Sequence, residues 1–360
     1  MEPAAVDVVL FAAGLAVVVA TVASGLRSVV LPRAVPARLT RRVFRTVRVL
    51  FGVRIGRRAN YERTDRILAM FGPTAMVALL GTWLVLVFAG YTAMFWAIHT
   101  HPLRQAITVS GSSLLTLGFA AGRGLPGIIL SFTEAAVGLT LLALLIAYLP
   151  AIYGAFSRRE TMVASLETRA GTPPSPVKLL TRLHAISGLD RLAELWGPWE
   201  QFFTEIQETH TSIPALPLFR SPMPQHSWVT ASGVILDVAA LRASALDLPR
   251  DPDAELCLRA GYLALRRIAE YFRIVFDPDP APGDPISVKR EEFEGVFDDL
   301  AAKGLPMKTD RDQAWRDFQG WRVNYDTVLL ALARLTDAPF AAWVSDRPPL
   351  VAQRLRRLNR

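Results

Sequence analysis

Thr116, Leu117, Gly118 and Phe119 close a short polar stretch that begins at Ser112 and lies between two long apolar runs. Main-chain carbonyls aimed into a narrow axis can replace the hydration shell of a cation, and a glycine permits the dihedrals that aim them. Within a bilayer, irregular backbone of this kind is tolerated only where protein or a water-filled cavity surrounds it. Residues 68–156 therefore read as one unit: a span, a segment that dips in and returns, and a second span. A re-entrant segment with this ending, held between two spanning helices, is the physical recipe for an ion-selectivity filter.

The elements that must position it follow from hydropathy and charge. The chain has 360 residues, a mean hydropathy of +0.28 and 20% charged residues, which fit together only if the apolar residues are concentrated. Spans are predicted at about 8–26, 68–98 and 125–156. Ahead of the first span stand Glu2 and Asp7 with no Lys or Arg, the wrong sign for a secretory signal, so the reading is a retained anchor with its N-terminus outside. Twelve arginines lie between Arg27 and Arg66 against Glu62 and Asp65. Between two spans, such a block reads as a cytoplasmic loop near anionic headgroups rather than a nucleic-acid patch. Arg158 and Arg159 follow the third span, so 99–124 opens outward. Pro126 suits the first turn of the third span, and Pro150 is expected to end that helix or kink it.

Beyond the spans the chain reads as a soluble helical domain. The expected division is 1–66 anchor and basic loop, 67–157 pore-forming region, 158–177 linker, 178–345 cytoplasmic α-helical domain and 346–360 basic tail. The linker rests on Gly171-Thr172-Pro173-Pro174-Ser175-Pro176. Helices are predicted near 177–187, 189–210, 227–247, 254–276, 286–303 and 309–336, the last from Trp315, Phe318, Trp321, Tyr325, Val328, Leu329, Leu332 and Leu335. The tail arginines 354, 356, 357 and 360 fit either contact with the inner leaflet or a solvated end. Cys257 is alone, so neither a disulfide within the chain nor a Cys/His metal cluster is expected. His99 and His101 read as solvated loop residues, and Glu205, Glu208 and His210 as the solvated face of a helix around Trp196, Trp199, Phe202 and Phe203. Asp277, Asp279 and Asp284 lack the spacing of a Ca²⁺ loop. No catalytic or nucleotide-binding motif is present, so no enzyme and no cofactor are expected.

At 103–120 the chain resembles the pore loop of tetrameric potassium channels, whose pattern is Thr-X-Gly-Tyr/Phe-Gly after a short pore helix. Thr116-Leu117-Gly118-Phe119 match its first four positions, with Ser112 and Ser113 upstream. Phe132-Thr133-Glu134-Ala135-Ala136-Val137-Gly138, continued by 142–147, is similar to the inner helix of bacterial two-transmembrane ion channels. The resemblance covers about 68–156, a quarter of the chain. There it implies an outer helix, a re-entrant pore loop and an inner helix, and it says nothing about residues 160–360. Joined to the anchor helix and the cytoplasmic α-helical domain read from the residues themselves, these make the expected fold an all-α membrane protein. The resemblance further implies a homotetramer in a plasma membrane that conducts a monovalent cation, K⁺ foremost; for the cytoplasmic domain, outside the resemblance, an unidentified ligand or protein partner is left open.

On this pattern the Thr116 hydroxyl supplies an inner ligand ring and the Phe119 ring packs behind the filter. Glu134 either meets the pore helix from behind the filter or lies near the outer interface, and Gly138 permits close helix packing or acts as a hinge. Ala120 departs from the pattern, standing where the family has its second glycine, and Ala121 replaces an aspartate. If that site needs a left-handed backbone, alanine costs about 1 kcal/mol in each subunit. The alternative reading is a membrane-anchored interaction or signalling protein whose pore loop no longer conducts.

Overall fold

The computed structural model describes residues 3–29, 38–55, 61–213 and 215–348. The tail arginines lie outside these residues, as do Arg33, Arg57 and Arg58. The described residues are helical, with no strand among them beyond one isolated bridge between Leu246 and Met307. The chain divides into two compact units, residues 1–154 with 212–219, and residues 155–211 with 220–360.

The first unit is built from α1 (Pro3–Val29), α2 (Arg38–Ile55), α3 (Tyr61–Ala69), α4 (Phe71–Ala97), α5 (Leu103–Leu114) and the first part of α6 (Gly124–Ala170). Ala5–Ser28 within α1, α4 and α6 are long and apolar enough to cross a membrane. A 12-residue helix such as α5 rises only about 18 Å, too short for a hydrocarbon core of about 30 Å. α1 lies along α4, where Gly14 and Gly90 face each other so closely that a Cβ on Gly14 would sit 2.5 Å from the Gly90 carbonyl. Small residues at such a seam let two backbones approach and gain dispersion contacts where no hydrophobic driving force exists. Trp83, Tyr91 and Phe95 of α4 turn into this packing and are buried.

α6 differs from expectation. It runs through Pro150 and on to Ala170, so neither a helix end near 156 nor a linker beginning at 158 is present. Proline removes a single backbone hydrogen bond. Val163, Leu166 and Ala170 then recur at three and four residues and are buried, which continues the helix on an amphipathic period. Polarity at 157–170 suggested a linker, whereas the period is helical. The helix ends at Gly171, whose φ of +75° is open to glycine at little cost. The non-helical connection is confined to 171–175.

The second unit contains the end of α6, α7 (Pro176–Ser187), α8 (Ala193–Ser212, its last residue belonging to the first unit), α9 (Trp228–Ser244), α10 (Pro252–Tyr271), α11 (Arg290–Ala302), α12 (Arg311–Arg322) and α13 (Asp326–Leu335). Side-chain caps set several starts: Ser227 accepts from the Val229 N–H at 3.2 Å, Asp251 from Ala254 at 3.3 Å and Asp310 from Gln313 at 2.9 Å. α9 is buried at every position from Trp228 to Leu241 and forms the centre of the core. The long helix expected over 309–336 is two. Asn324 donates its side-chain amide to the Gly320 and Trp321 carbonyls, and Arg266 donates to the Asn324 carbonyl and Oδ1 at 2.9 and 3.0 Å, which interrupts the ladder.

The break brings charge into the core. The Arg322 guanidinium is fully buried, donates to Asp237, to the Trp343 carbonyl and, at 2.8 Å, to Asp326 Oδ1. The Tyr325 hydroxyl donates to Asp237 at 2.8 Å. Burial pushes the Asp237 carboxyl up, against the lowering effect of Arg322. His210 is also buried, contrary to the solvated face expected for it. It lies against Arg159, with Nε2 3.4 Å from Nη1, and packs edge-on to Trp228 at 4.7 Å between centroids.

Candidate functional site

α4, α5 and α6 position the segment singled out in the sequence. Ala106 and Val109 bury one side of α5 in the core shared with α4. At its end, the Leu117 N–H donates to the Ser112 carbonyl at 2.8 Å and the Thr116 N–H to the Ser113 carbonyl at 3.0 Å, which turns the chain out of the helix. Thr116 has φ +53° and Gly118 φ +74°. Left-handed backbone at alternate positions swings successive peptide planes to different sides, and only glycine takes it freely. Leu115, Thr116, Leu117, Gly118 and Phe119 are all exposed, Phe119 at 69%.

Two expectations are corrected here. The Phe119 ring is exposed and, among the described residues of one chain, is not buried behind this segment. Ala120 is not among the residues of positive φ, so the left-handed penalty does not arise. Its N–H donates instead to Ser112 Oγ at 3.0 Å.

Behind the exposed turn, α6 presents a buried stripe of small and polar residues: Gly127, Ser131, Glu134 and Gly138. Ser131 Oγ accepts from the Gly122 N–H at 3.1 Å. Ser110 Oγ lies 2.6 Å from Glu134 Oε1 and 3.2 Å from the Phe88 carbonyl. A hydroxyl carries one proton, so it serves one of these acceptors at a time. Glu134 is fully buried, and its Oε2 has no hydrogen-bond partner among the described residues. A Cβ on Gly138 would stand 2.4 Å from the Leu114 carbonyl, so glycine is required for α6 to meet the end of α5.

Of the residues named from sequence, Ser112 and Ala120 are joined by a hydrogen bond and Thr116, Leu117, Gly118 and Phe119 form the exposed turn. Glu134 and Gly138 abut α5 from α6, while Ser113 is buried at the end of α5 and its carbonyl accepts from the Thr116 N–H. Ser110 and Ser131 were missed. The available signal was periodic: 127, 131, 134 and 138 step by four, three and four in an otherwise apolar helix, and Ser110 stands one turn before Ser113.

Elsewhere in this unit, His99 Nδ1 is 3.9 Å from Asp7 Oδ2 and His101 packs edge-on to Trp96 at 4.3 Å. Among the described residues no group of three or more His, Cys, Asp or Glu side chains is placed to hold a metal ion.

Fold and site together define an all-helical chain with three helices of membrane-crossing length and hydropathy, and an exposed main-chain turn after a half-length helix. Comparison of the chain with family models, with curated proteins and with solved structures finds no match.

Proposed function

We propose that this protein conducts a monovalent cation, potassium foremost, through a pore assembled from four copies of residues 67–157. Residues 178–345 form a cytoplasmic domain for assembly or regulation, and the protein lies in a plasma membrane with its N-terminus outside. The observation that carries the reading is the turn at 115–119. It leaves a half-length helix between two candidate spans, takes left-handed backbone at Thr116 and Gly118, and is braced by hydroxyls from Ser112 and Ser131. Its exposure in one chain suits a segment completed by neighbouring copies. Thr116, Leu117, Gly118 and Phe119 would supply the carbonyl and hydroxyl ligands, while Ala120 sits at the outer end. Ser112, Ser113, Glu134 and Gly138 would support them from behind.

The second reading is a membrane-anchored interaction or signalling protein whose loop does not conduct. Ala120 at the position of the family's second glycine favours it. Ion flux from purified protein in liposomes under potassium or sodium gradients separates the two, with Ala120→Gly alongside. Potassium-dependent flux from the natural chain is expected. Flux from the glycine variant alone would mark a pore silenced at this residue, and no flux from either, with assembly intact, would overturn conduction.

A further inference from the structure

The arginine-rich helix between the first two candidate spans is not used by the conduction reading. α2 carries arginines at 38, 41, 42, 45, 48 and 54 with no acidic residue. It is fixed to the ends of two spans on the same side. Thr40 Oγ1 meets Ser28 Oγ at 2.8 Å, at the end of α1. Phe44 and Phe51 pack edge-on to Phe71, the first residue of α4, at 6.3 and 5.8 Å between centroids. Val47 is buried against the same residue. α2 therefore runs where these spans leave the hydrocarbon.

Its other face is open. Arg42, Arg45 and Thr46 are exposed in the first half, and Val49, Leu50 and Val53 in the second, at 59, 63 and 78%. Arg41, Arg42 and Arg45 form no ion pair with any described residue. Water suits the arginines and not the three apolar side chains, whereas an apolar partner suits only the latter. A phospholipid surface suits both: guanidinium forks match phosphate oxygens, and apolar side chains enter the acyl boundary. A helix with six arginines and no acid, with Arg42 and Arg45 on its open face, selects anionic headgroups over zwitterionic ones.

We propose that the open face of α2 binds anionic phospholipid headgroups at the leaflet where α1 ends and α4 begins. The proposal rests on α1 and α4 crossing the bilayer and not on conduction. Its test reads no ion flux, so either proposal can fail alone.

The test uses the full chain with Val49→Cys carrying a thiol-reactive fluorophore. Cys257 is buried, and the unsubstituted chain gives the background. The protein is placed in vesicles of equal phosphatidylcholine and phosphatidylglycerol, with an acyl-chain nitroxide quencher on one lipid species or on the other. Quenching by the labelled phosphatidylglycerol is expected to exceed that by phosphatidylcholine by about fivefold in local enrichment, and to weaken in molar salt. Arg42→Gln with Arg45→Gln should abolish the preference, and Arg42→Lys with Arg45→Lys should restore most of it. Equal quenching by both lipids, or a preference that survives the glutamine pair, would overturn the proposal. So would protection from both lipids and from aqueous acrylamide, which would mean that a second copy of the chain covers this face.

Discussion

The two units treat the same kinds of residue in opposite ways. In the first, Val85, Phe132, Leu139 and Ile146 stand exposed, and the buried side of α6 holds Ser131, Glu134 and Gly138. In the second, α9 is buried along its length from Trp228 to Leu241, and a buried charge, Arg322, is met by two carboxylates and a carbonyl. The difference is the one expected of two solvents, hydrocarbon around the first unit and water around the second. A helix facing hydrocarbon gains nothing by hiding leucine and instead turns small and polar groups inward, where they can be bonded. A helix facing water hides apolar area, and the cost of any buried charge is met by partners.

The largest test of this contrast is Arg322→Met. It strands Asp237 and Asp326 without their cation and is expected to cost the second unit about 3–5 kcal/mol. Tryptophan fluorescence of the full chain in detergent would follow it, since six of the eight tryptophans lie in that unit. An unchanged unfolding midpoint would show that the cluster is no more than tolerated. In the first unit the corresponding break is steric. Gly138→Val drives a side chain into the Leu114 carbonyl, and overpacking of this kind costs about 1–3 kcal/mol. A lowered thermal midpoint should accompany it, and a wild-type midpoint would mean that α5 and α6 separate freely.

Acid sharpens the comparison further. Burial, and then the neighbouring Arg159 cation, hold the His210 imidazole well below its ordinary value. Below about pH 6.5 the unfolded chain takes up a proton that the folded chain refuses, so stability falls as pH drops, by about 1.4 kcal/mol per unit until the folded value is reached. His210→Gln should flatten that slope in denaturant titrations between pH 7 and 5; an equally steep slope would assign the loss to other groups. The smallest effect is expected at Ala120→Gly. With no positive φ to relieve, the change in stability should stay below about 1 kcal/mol, and a clear gain would contradict the backbone described for that residue.

Much of this arrangement was legible in the residues themselves. The three long apolar helices and most helices of the second unit follow from period and hydropathy, and the short helix before Thr116 only from the resemblance. By contrast, α2 and α3 stand where no helix is expected, α6 runs on to Ala170 past its expected end at 156, and the last predicted helix is two. What escaped was tertiary. Polarity at 157–170 hid the buried stripe of Val163, Leu166 and Ala170, and Pro150 looked like a terminator because its loss of one hydrogen bond is visible in sequence while the compensation is not. His210 sits among acidic and hydroxyl neighbours along the chain, and only folding reveals Trp228 and Arg159 around it. The bracing of the 115–119 turn by Ser112 and Ser131 joins residues eight and nine apart, beyond the reach of helical periodicity.

The exposed turn at 115–119 also bears on inheritance. Under the proposed fourfold assembly, a chain never completes this segment alone, so a damaged Gly118 would act on its neighbours as well as on itself. In a cell making intact and damaged chains equally, random mixing leaves about one assembly in sixteen with four sound copies. Such a lesion would be dominant, whereas losing one copy of the gene outright would only halve the number of sound assemblies.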